Sequence, residues 1–336
     1  MWLHGEQVIR DNKFAVATMA GGQGTRLGTA APKGTYRIDV EPEGKYLFEI
    51  ISDTLKDANE KYGVVIPWYI MTSKENNKKT VEFLSEQDYF GYPKEDVRIF
   101  EQEEIPLLDK QGKLIIDEDM KIKQAANGNG GIFSSMSKRG ILDDMRARGI
   151  EWVFIGSVDN VLLKMVDTFL IGATVFKKTE IGTKTILKKE PNEKVGVFCR
   201  KKGKIKVIEY TEIPEELSSE YNERGELVFG DAHIMCNLFH ISALEKASTK
   251  ELLYHIVEKE SKYVDSFGQV VNPAGPNCYK FEKFIFDAFG LFDDITVVRG
   301  KREEDFAPVK NMTGEDSLET AKILYDNYWA GRLIKK

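Results

Sequence analysis

The chain has 336 residues, 42% hydrophobic and 30% charged, enough apolar material for one large core and too little bias for a disordered or repetitive protein. Its net charge of −6, from 48 basic and 54 acidic side chains, excludes a general nucleic-acid binder, so any polyanionic ligand has to meet a local group of cations. Cys199, Cys236 and Cys278 are far apart and odd in number, as expected of a reducing compartment, and no apolar run approaches the ~18 residues of a membrane span. The expectation is a cytoplasmic protein without nucleic-acid or membrane partners.

Residues 1–13 carry no apolar signal core and read as a short N-terminal stub. An apolar run of strand length, 14–20, leads into Met19-Ala-Gly-Gly-Gln-Gly-Thr-Arg-Leu-Gly28 and then Pro32-Lys33-Gly34. Glycines there let backbone N–H groups approach phosphate oxygens, and Arg26 and Lys33 supply positive charge. Gly22, Gly24 and Gly28 give G-x-G-x-x-x-G, which is neither the Walker A spacing nor the dinucleotide fingerprint, so a third kind of phosphate loop is required.

Further strand-like runs at 68–71, 97–100 and 152–155 alternate with helical patterns at 47–62, 74–86 and 132–148, which predicts an α/β fold with a mainly parallel sheet and helices on both faces. Beyond Asp159 the pattern changes. Runs at 195–199 and 205–209 flank Arg200-Lys-Lys-Gly203 and read as an antiparallel hairpin inserted on the substrate side. His233-x2-Cys236-x3-His240 has some of the look of a metal cluster, but the strand period puts His233 and Cys236 on opposite faces. Ser242-x-x-Glu245 predicts a capping box and a helix running to about 259, and Asn272-Pro-Ala-Gly-Pro-Asn277 suits a loop over an active site. Over 316–332, Leu318, Ala321, Leu324, Tyr325 and Tyr328 fall on one helical face.

Several residues carry candidate chemistry. Asp159 follows a buried strand, where open α/β sheets place ligands, so it reads as a Mg²⁺ ligand or else as a plain turn after the strand. Gln102 ends the 97–100 strand with an amide that offers a donor and an acceptor together, and by itself reads as a polar strand end. Asn127-Gly-Asn-Gly-Gly131 precedes a helix and reads equally as a base-binding loop or a turn. Asp117-Glu-Asp119, the one Asp-x-Asp, sits in a polar stretch and reads as solvated surface.

With these residues in view, the first loop resembles that of eukaryotic-type UDP-N-acetylhexosamine pyrophosphorylases. Gln102, Asn127-Gly-Asn-Gly-Gly131, Val158-Asp-Asn160, Val195-Gly196, Glu209-Tyr210, Lys280-x-Glu-Lys-Phe-x-Phe-Asp287 and Asp305-Phe-x-Pro-x-Lys-Asn311 are similar to the family's motifs in order and approximate spacing. The resemblance implies a nucleotide-diphosphosugar transferase (Rossmann-like, GT-A-like) fold: the stub 1–13, a nucleotidyltransferase catalytic domain at 14–314 and a C-terminal helix in 315–336. It implies a monomeric uridylyltransferase making UDP-sugar and pyrophosphate from UTP and a sugar 1-phosphate, with Mg²⁺ or Mn²⁺ as cofactor. N-acetylglucosamine 1-phosphate leads; glucose or galactose 1-phosphate, or a non-catalytic UDP-sugar binder, are the alternatives.

The same resemblance assigns Arg26 and Lys33 to the departing pyrophosphate. Met19, Ala20, Gly21, Gly22, Gln102, Gly128 and Asn129 go to the nucleotide. Gly196, Glu209, Tyr210, Asn237, Lys280 and Lys310 go to the sugar and its phosphate, with Asp159 on the metal. Phe284 and Phe286 read either as lining of the sugar pocket or as core. One segment departs: the hexosamine-specific Asn-Ala-Gly-Asn-Ile is answered here by Phe229-Gly-Asp-Ala-His-Ile-Met-Cys-Asn237, so the sugar-contacting Asn is replaced while Asn237 matches a later position. The chain also begins about a dozen residues before the loop, where longer relatives carry a helical region.

Overall fold

The computed structural model describes residues 1–28 and 31–333; the last three residues of the expected C-terminal segment, 334–336, lie outside them. After α1 (Trp2–Arg10), the chain alternates β1 (Phe14–Met19), α2 (Leu47–Tyr62), β2 (Trp68–Thr72), α3 (Lys74–Glu86) and β3 (Val97–Glu101). The helices α4 (Ile132–Lys138) and α5 (Ile141–Ala147) then lead to β4 (Trp152–Ser157) and α6 (Thr168–Lys177). β1 pairs in parallel with both β2 and β4, and β2 with β3, which is the expected parallel half of the sheet.

The rest of the chain carries β5 (Ile181–Leu187), β6 (Val197–Lys201), β7 (Lys204–Ile208), β8 (Asp231–His240), α7 (Ile241–Ser248), β9 (His255–Lys259), β10 (Cys278–Glu282), β11 (Thr296–Arg299) and α8 (Leu318–Leu333), of which β9 and β10 pair in a separate small sheet and the other strands complete the main one. β8 runs antiparallel to β4, β5 and β6, while β11 joins β5 in parallel, so the sheet is mixed. The predicted hairpin is β6–β7, closed by Lys202 (φ 52°) and Gly203 (φ 81°). Two consecutive positive φ values give the turn whose twist matches paired strands.

Strand alternation explains why β1 is apolar throughout. Phe14 and Val16 face one core with Leu47, Phe48, Leu55 and Leu170, whereas Ala15, Ala17 and Met19 face another with Phe133, Met145 and Leu244. Helices cover both faces, so no residue of this strand can be polar without a partner. Thr18 is the exception with one: it accepts a bond from Trp68 Nε1 at 2.9 Å. α1 packs on α6 through small residues; a Cβ on Gly5 would stand 2.0 Å from Thr168 O, and one on Gly172 would stand 1.8 Å from Met1 O. At the other end α8 buries Ala321, and Asp326 accepts from Glu41 N at 3.0 Å.

Three expectations are corrected. The helix expected over 132–148 is broken at Gly140, whose φ of 71° ends α4 and starts α5. The helix expected from Ser242 to 259 stops at Ser248, and His255–Lys259 is instead a strand paired with β10. The Ser242/Glu245 capping box is absent because both side chains are engaged elsewhere. Ser242 Oγ bonds His240 and Glu180, Glu245 holds Arg146 Nε at 2.7 Å, and the His240 ring caps the helix. The segment Asn272–Asn277 joins the end of the β9–β10 hairpin, where Asn277 exchanges hydrogen bonds with Ser261 at 2.8 and 2.9 Å.

Candidate active site

The loop after β1 is held from below. Ala20 N donates to Met71 O (2.7 Å), and Asn76 Nδ2 donates to Ala20 O (3.0 Å) from a real capping box, Ser73/Asn76, at the start of α3. Asn76 is buried and was not singled out from the sequence, although Ser73-x-x-Asn76 before a helical run is a readable signal. Two glycines are required by close approach. A Cβ on Gly21 would lie 2.6 Å from Gln102 Nε2, and one on Gly34 would lie 2.1 Å from the Phe48 ring. Gln102, buried just past the C-terminal end of β3, therefore lies directly against Gly21.

Residues 127–131 are tied to the residue after Gln102, Asn127 N donating to Glu103 O at 3.1 Å. Gly128 has φ 85°, and a Cβ there would stand 2.4 Å from Lys283 O. Lys283 N donates to Asn127 O (2.8 Å), and Gly130 N donates to Lys283 O (2.8 Å). Asn129 Oδ1 accepts from Ile285 N at 2.7 Å, which spends its carboxamide oxygen on the turn and leaves the amide nitrogen for a ligand. Asn127 Oδ1 is buried with no hydrogen-bond partner beside Gly131, a second polar group on this loop.

Charge gathers at the ends of β1 and β4. Lys33 Nζ lies 2.7 Å from Asp159 Oδ2, and Ser157 Oγ donates to Asp159 Oδ1 at 2.6 Å. Burial favours the neutral acid, yet Lys33 above all, helped by Ser157 and Lys310, holds the Asp159 carboxyl below its ordinary value. Arg26, in the turn Thr25–Leu27, is exposed and makes no hydrogen bond or ion pair among the described residues. Lys310 reaches Asp316 Oδ2 at 3.0 Å and Lys280 reaches Glu282 Oε1 at 2.5 Å. Of the four expected cations, the structure brings Lys33 and Lys310 towards Asp159 and leaves Lys280 in its own ion pair.

Among the described residues no group of three His, Cys, Asp or Glu side chains could hold a metal by itself. Asp159 fits one role only, a single hard oxygen donor for a cation whose other ligands are phosphate oxygens and water, the usual Mg²⁺ arrangement.

On the far side, Glu209 follows β7. A Cβ on Gly196 would lie 3.4 Å from Glu209 Oε1, and Tyr210 is exposed beside it. Burial, reinforced by Glu212, Asp287 and Glu282, raises the Glu209 pKa, with His255 pulling the other way. His255 bridges Glu212 (2.9 Å) and Asp287 (3.0 Å), tying the hairpin end to β9 and to the turn after β10. Phe284 stacks on Phe286, with centroids 5.0 Å apart; Phe286 is buried and Phe284 partly so.

The departing segment holds a bulge. Asn237 pairs with Thr183 and His233 with Thr185, so four steps on β8 face two on β5, and Met235 takes φ 55°. A regular strand would separate residues four apart by ~13 Å. Here His233 Nε2 and Asn237 Oδ1 are 2.9 Å apart. Both are buried, ringed by Phe198, Phe286 and Phe289, and Asn237 Nδ2 has no partner. Burial drives the His233 pKa down to about 4, so the ring is neutral near pH 7. Ile234 and Cys236 face the opposite core, as the strand period predicts. His233 was read only against zinc. Asp231 is held by Arg299 at 2.9 Å through both oxygens.

A cavity of about 580 Å³ lies at the opposite edge of the sheet, lined by His4, Lys13, Glu151, Trp152 and His240, at the N-terminal ends of β1 and β4 and away from Asp159.

A glycine loop after β1, a buried glutamine against it at the end of β3, and a carboxylate closing β4 lie at the C-terminal strand ends of a nucleotidyltransferase fold. The chain belongs to the UTP–glucose-1-phosphate uridylyltransferase family, whose pattern it matches over residues 4–327. It is 39% identical over 96% of its length to the UDP-N-acetylhexosamine pyrophosphorylase-like protein 1 of Xenopus tropicalis, spanning 66% of that protein. It is 35% identical to the UDP-N-acetylglucosamine pyrophosphorylase of Saccharomyces cerevisiae, covering 96% of this chain and 70% of that one. The solved UDP-N-acetylglucosamine pyrophosphorylase of Trypanosoma brucei superposes with a TM-score of 0.84 at 30% identity, over 96% of this chain and 67% of that one. The chain thus spans about two thirds of the length of these curated relatives.

Proposed function

We propose that this chain is a uridylyltransferase that joins UTP to a sugar 1-phosphate, releasing pyrophosphate, with N-acetylglucosamine 1-phosphate as preferred acceptor. The observation that carries this reading is Gln102 lying against the Gly21 loop while the Lys33–Asp159 pair closes a neighbouring parallel strand. That arrangement supports reading Gln102 as a base reader and the pair as the phosphate side of the same site. The family relatives named above support the acceptor.

In the reaction an oxygen of the sugar phosphate attacks the α-phosphorus of UTP, a new P–O bond forms, and the bond to the β-phosphate oxygen breaks. The attacking oxygen is already ionised, so no proton need be removed, and the chain's task is positioning and neutralisation of charge. Lys33 turns from Asp159 to the β- and γ-phosphates as the leaving group gains charge, and exposed Arg26 is free to close over them. Gln102 and the 127–131 loop hold the base, while Glu209 accepts from sugar hydroxyls and Lys310 meets the phosphate from the far side. Asp159 would hold Mg²⁺, which would supply positive charge to offset that of the phosphates.

Turnover with UTP, Mg²⁺ and a panel of sugar 1-phosphates tests the proposal. N-acetylglucosamine 1-phosphate should give the highest kcat/KM. A preference for glucose or galactose 1-phosphate would transfer the acceptor assignment, and no UDP-sugar with any of them would end the enzymatic reading.

A further inference from the structure

Lys184, on β5, is buried and touches none of the residues assigned to substrate. Its ammonium is paired with Asp167, the N-cap of α6, and with Asp305 Oδ1 at 2.8 Å; Lys164 reaches the same Asp305 oxygen at 3.3 Å. Burial works against the charged form of Lys184, but the facing carboxylates outweigh it and its pKa stays above the ordinary lysine value. Such a cluster is poor evidence for stability, since apolar side chains of similar volume commonly do as well. Its geometry points to a different use.

Asp305 heads a strap laced residue by residue to the end of β4. Asn160 Nδ2 donates to Asp305 O (2.8 Å), Ala307 N donates to Asn160 Oδ1 (2.8 Å), Val161 N donates to Ala307 O (3.1 Å), and Val309 N donates to Asp159 O (2.8 Å). The next residue is Lys310. The Asp305 side chain is held on its other oxygen by Lys301 N at 3.2 Å. Without Lys184, Asp305 and Asp167 would lose the buried cation they share, leaving Asp305 only the more exposed Lys164.

We propose that Lys184 is a positioning residue: by neutralising Asp305 at the head of the 305–310 strap, it fixes that strap against Asp159 and Asn160 and sets where the Lys310 ammonium meets the substrate diphosphate. The proposal rests on the uridylyltransferase reading for the role of Lys310, and on geometry alone for the strap.

The test is a double-mutant cycle on the full chain with UTP, Mg²⁺ and the best acceptor. Lys184→Met should lower kcat/KM on the order of 10- to 100-fold, the effect of an ångström-scale misplacement, and Lys184→Arg should restore most of it. Lys184→Met combined with Lys310→Ala should lose no more than Lys310→Ala alone, because the two act through one group. Losses that multiply, or a Lys184→Met variant with lowered Tm and wild-type kcat/KM, would overturn the proposal. If Lys184→Met does not fold, Lys184→Gln, which removes the charge and keeps a polar group facing Asp305, takes its place in the cycle. Amide exchange over 305–310 should be faster in either variant than in the wild type; equal protection overturns the strap claim. That readout needs no turnover, so an inactive wild type would end the uridylyltransferase reading without deciding the strap.

Discussion

Lys33 and Asp159 are 126 residues apart in the chain and 2.7 Å apart in space, a cation read for phosphate bonded to a carboxylate read for metal. Each neutralises the other while both stay near the surface, with side chains 12% and 19% exposed. A Mg²⁺–triphosphate complex carries both charges needed to separate them, offering a cation to Asp159 and anions to Lys33. Asp159→Asn should lower turnover by ~10²–10³, the usual effect of removing one preorganised charge contact, and flatten its dependence on Mg²⁺. A wild-type rate in Asp159→Asn would remove this carboxylate from the reaction.

The depressed Asp159 pKa has a definite pH consequence. A carboxyl held below its unfolded value stabilises the fold above that value, near 3.9, and the contribution is lost as pH falls through the folded pKa. Asp159 therefore stays ionised throughout the neutral range. An acid limb in kcat/KM between pH 5 and 7 should be unchanged in position by Ser157→Ala, which removes one hydrogen bond to Asp159.

Gly21→Ala places a methyl carbon 2.6 Å from Gln102 Nε2 while leaving every charge in place. The amide must swing away, and the loss of one base hydrogen bond should raise the KM for UTP about 10-fold with a smaller change in kcat. Substrate saturation curves for UTP and for the acceptor separate the two; an altered acceptor KM with an unchanged UTP KM would refute Gln102 as a base reader.

Glu209→Gln tests the sugar side. Hydrogen bonds to a charged group are worth roughly 1.5–3 kcal/mol, so the acceptor KM should rise on the order of 10- to 100-fold. UTP binding measured by calorimetry should be unaffected, because Glu209 lies on the inserted hairpin and not on the loop after β1.

His233 makes the fold acid-sensitive. Its folded pKa of about 4 lies below the unfolded value of ~6.5, so the unfolded chain binds the extra proton first, and stability falls as pH drops from 6.5 towards 4. The difference corresponds to about 3 kcal/mol. His233→Gln keeps a donor for Asn237 and cannot titrate. Denaturant titrations at pH 7 and 4.5 should show a smaller loss in the variant, and equal losses would mean that His233 is already charged or exposed.

The parallel half of the sheet was legible because its signals are local. An apolar strand, a glycine turn and an amphipathic helix are each encoded within about fifteen residues, and β1, β2, β3 and β4 fall where the pattern puts them. The glycine loop, Gln102 and Asp159 lie at the strand ends where the pattern puts them, because those ends too are fixed by local runs. The elements missed were decided by partners distant in sequence. His255–Lys259 became a strand because Cys278–Glu282 lies beside it, and Ser242 lost its cap to Glu180.

From the sequence alone come the residue types of the site and the class of fold that presents them. Which of those residues meet was left to tertiary structure, since a side chain's partner depends on distances that no spacing along the chain records. Lys33 finds Asp159 through backbone placed by strands far apart in sequence, and the bulge at Met235, set by pairing with β5, brings His233 to Asn237.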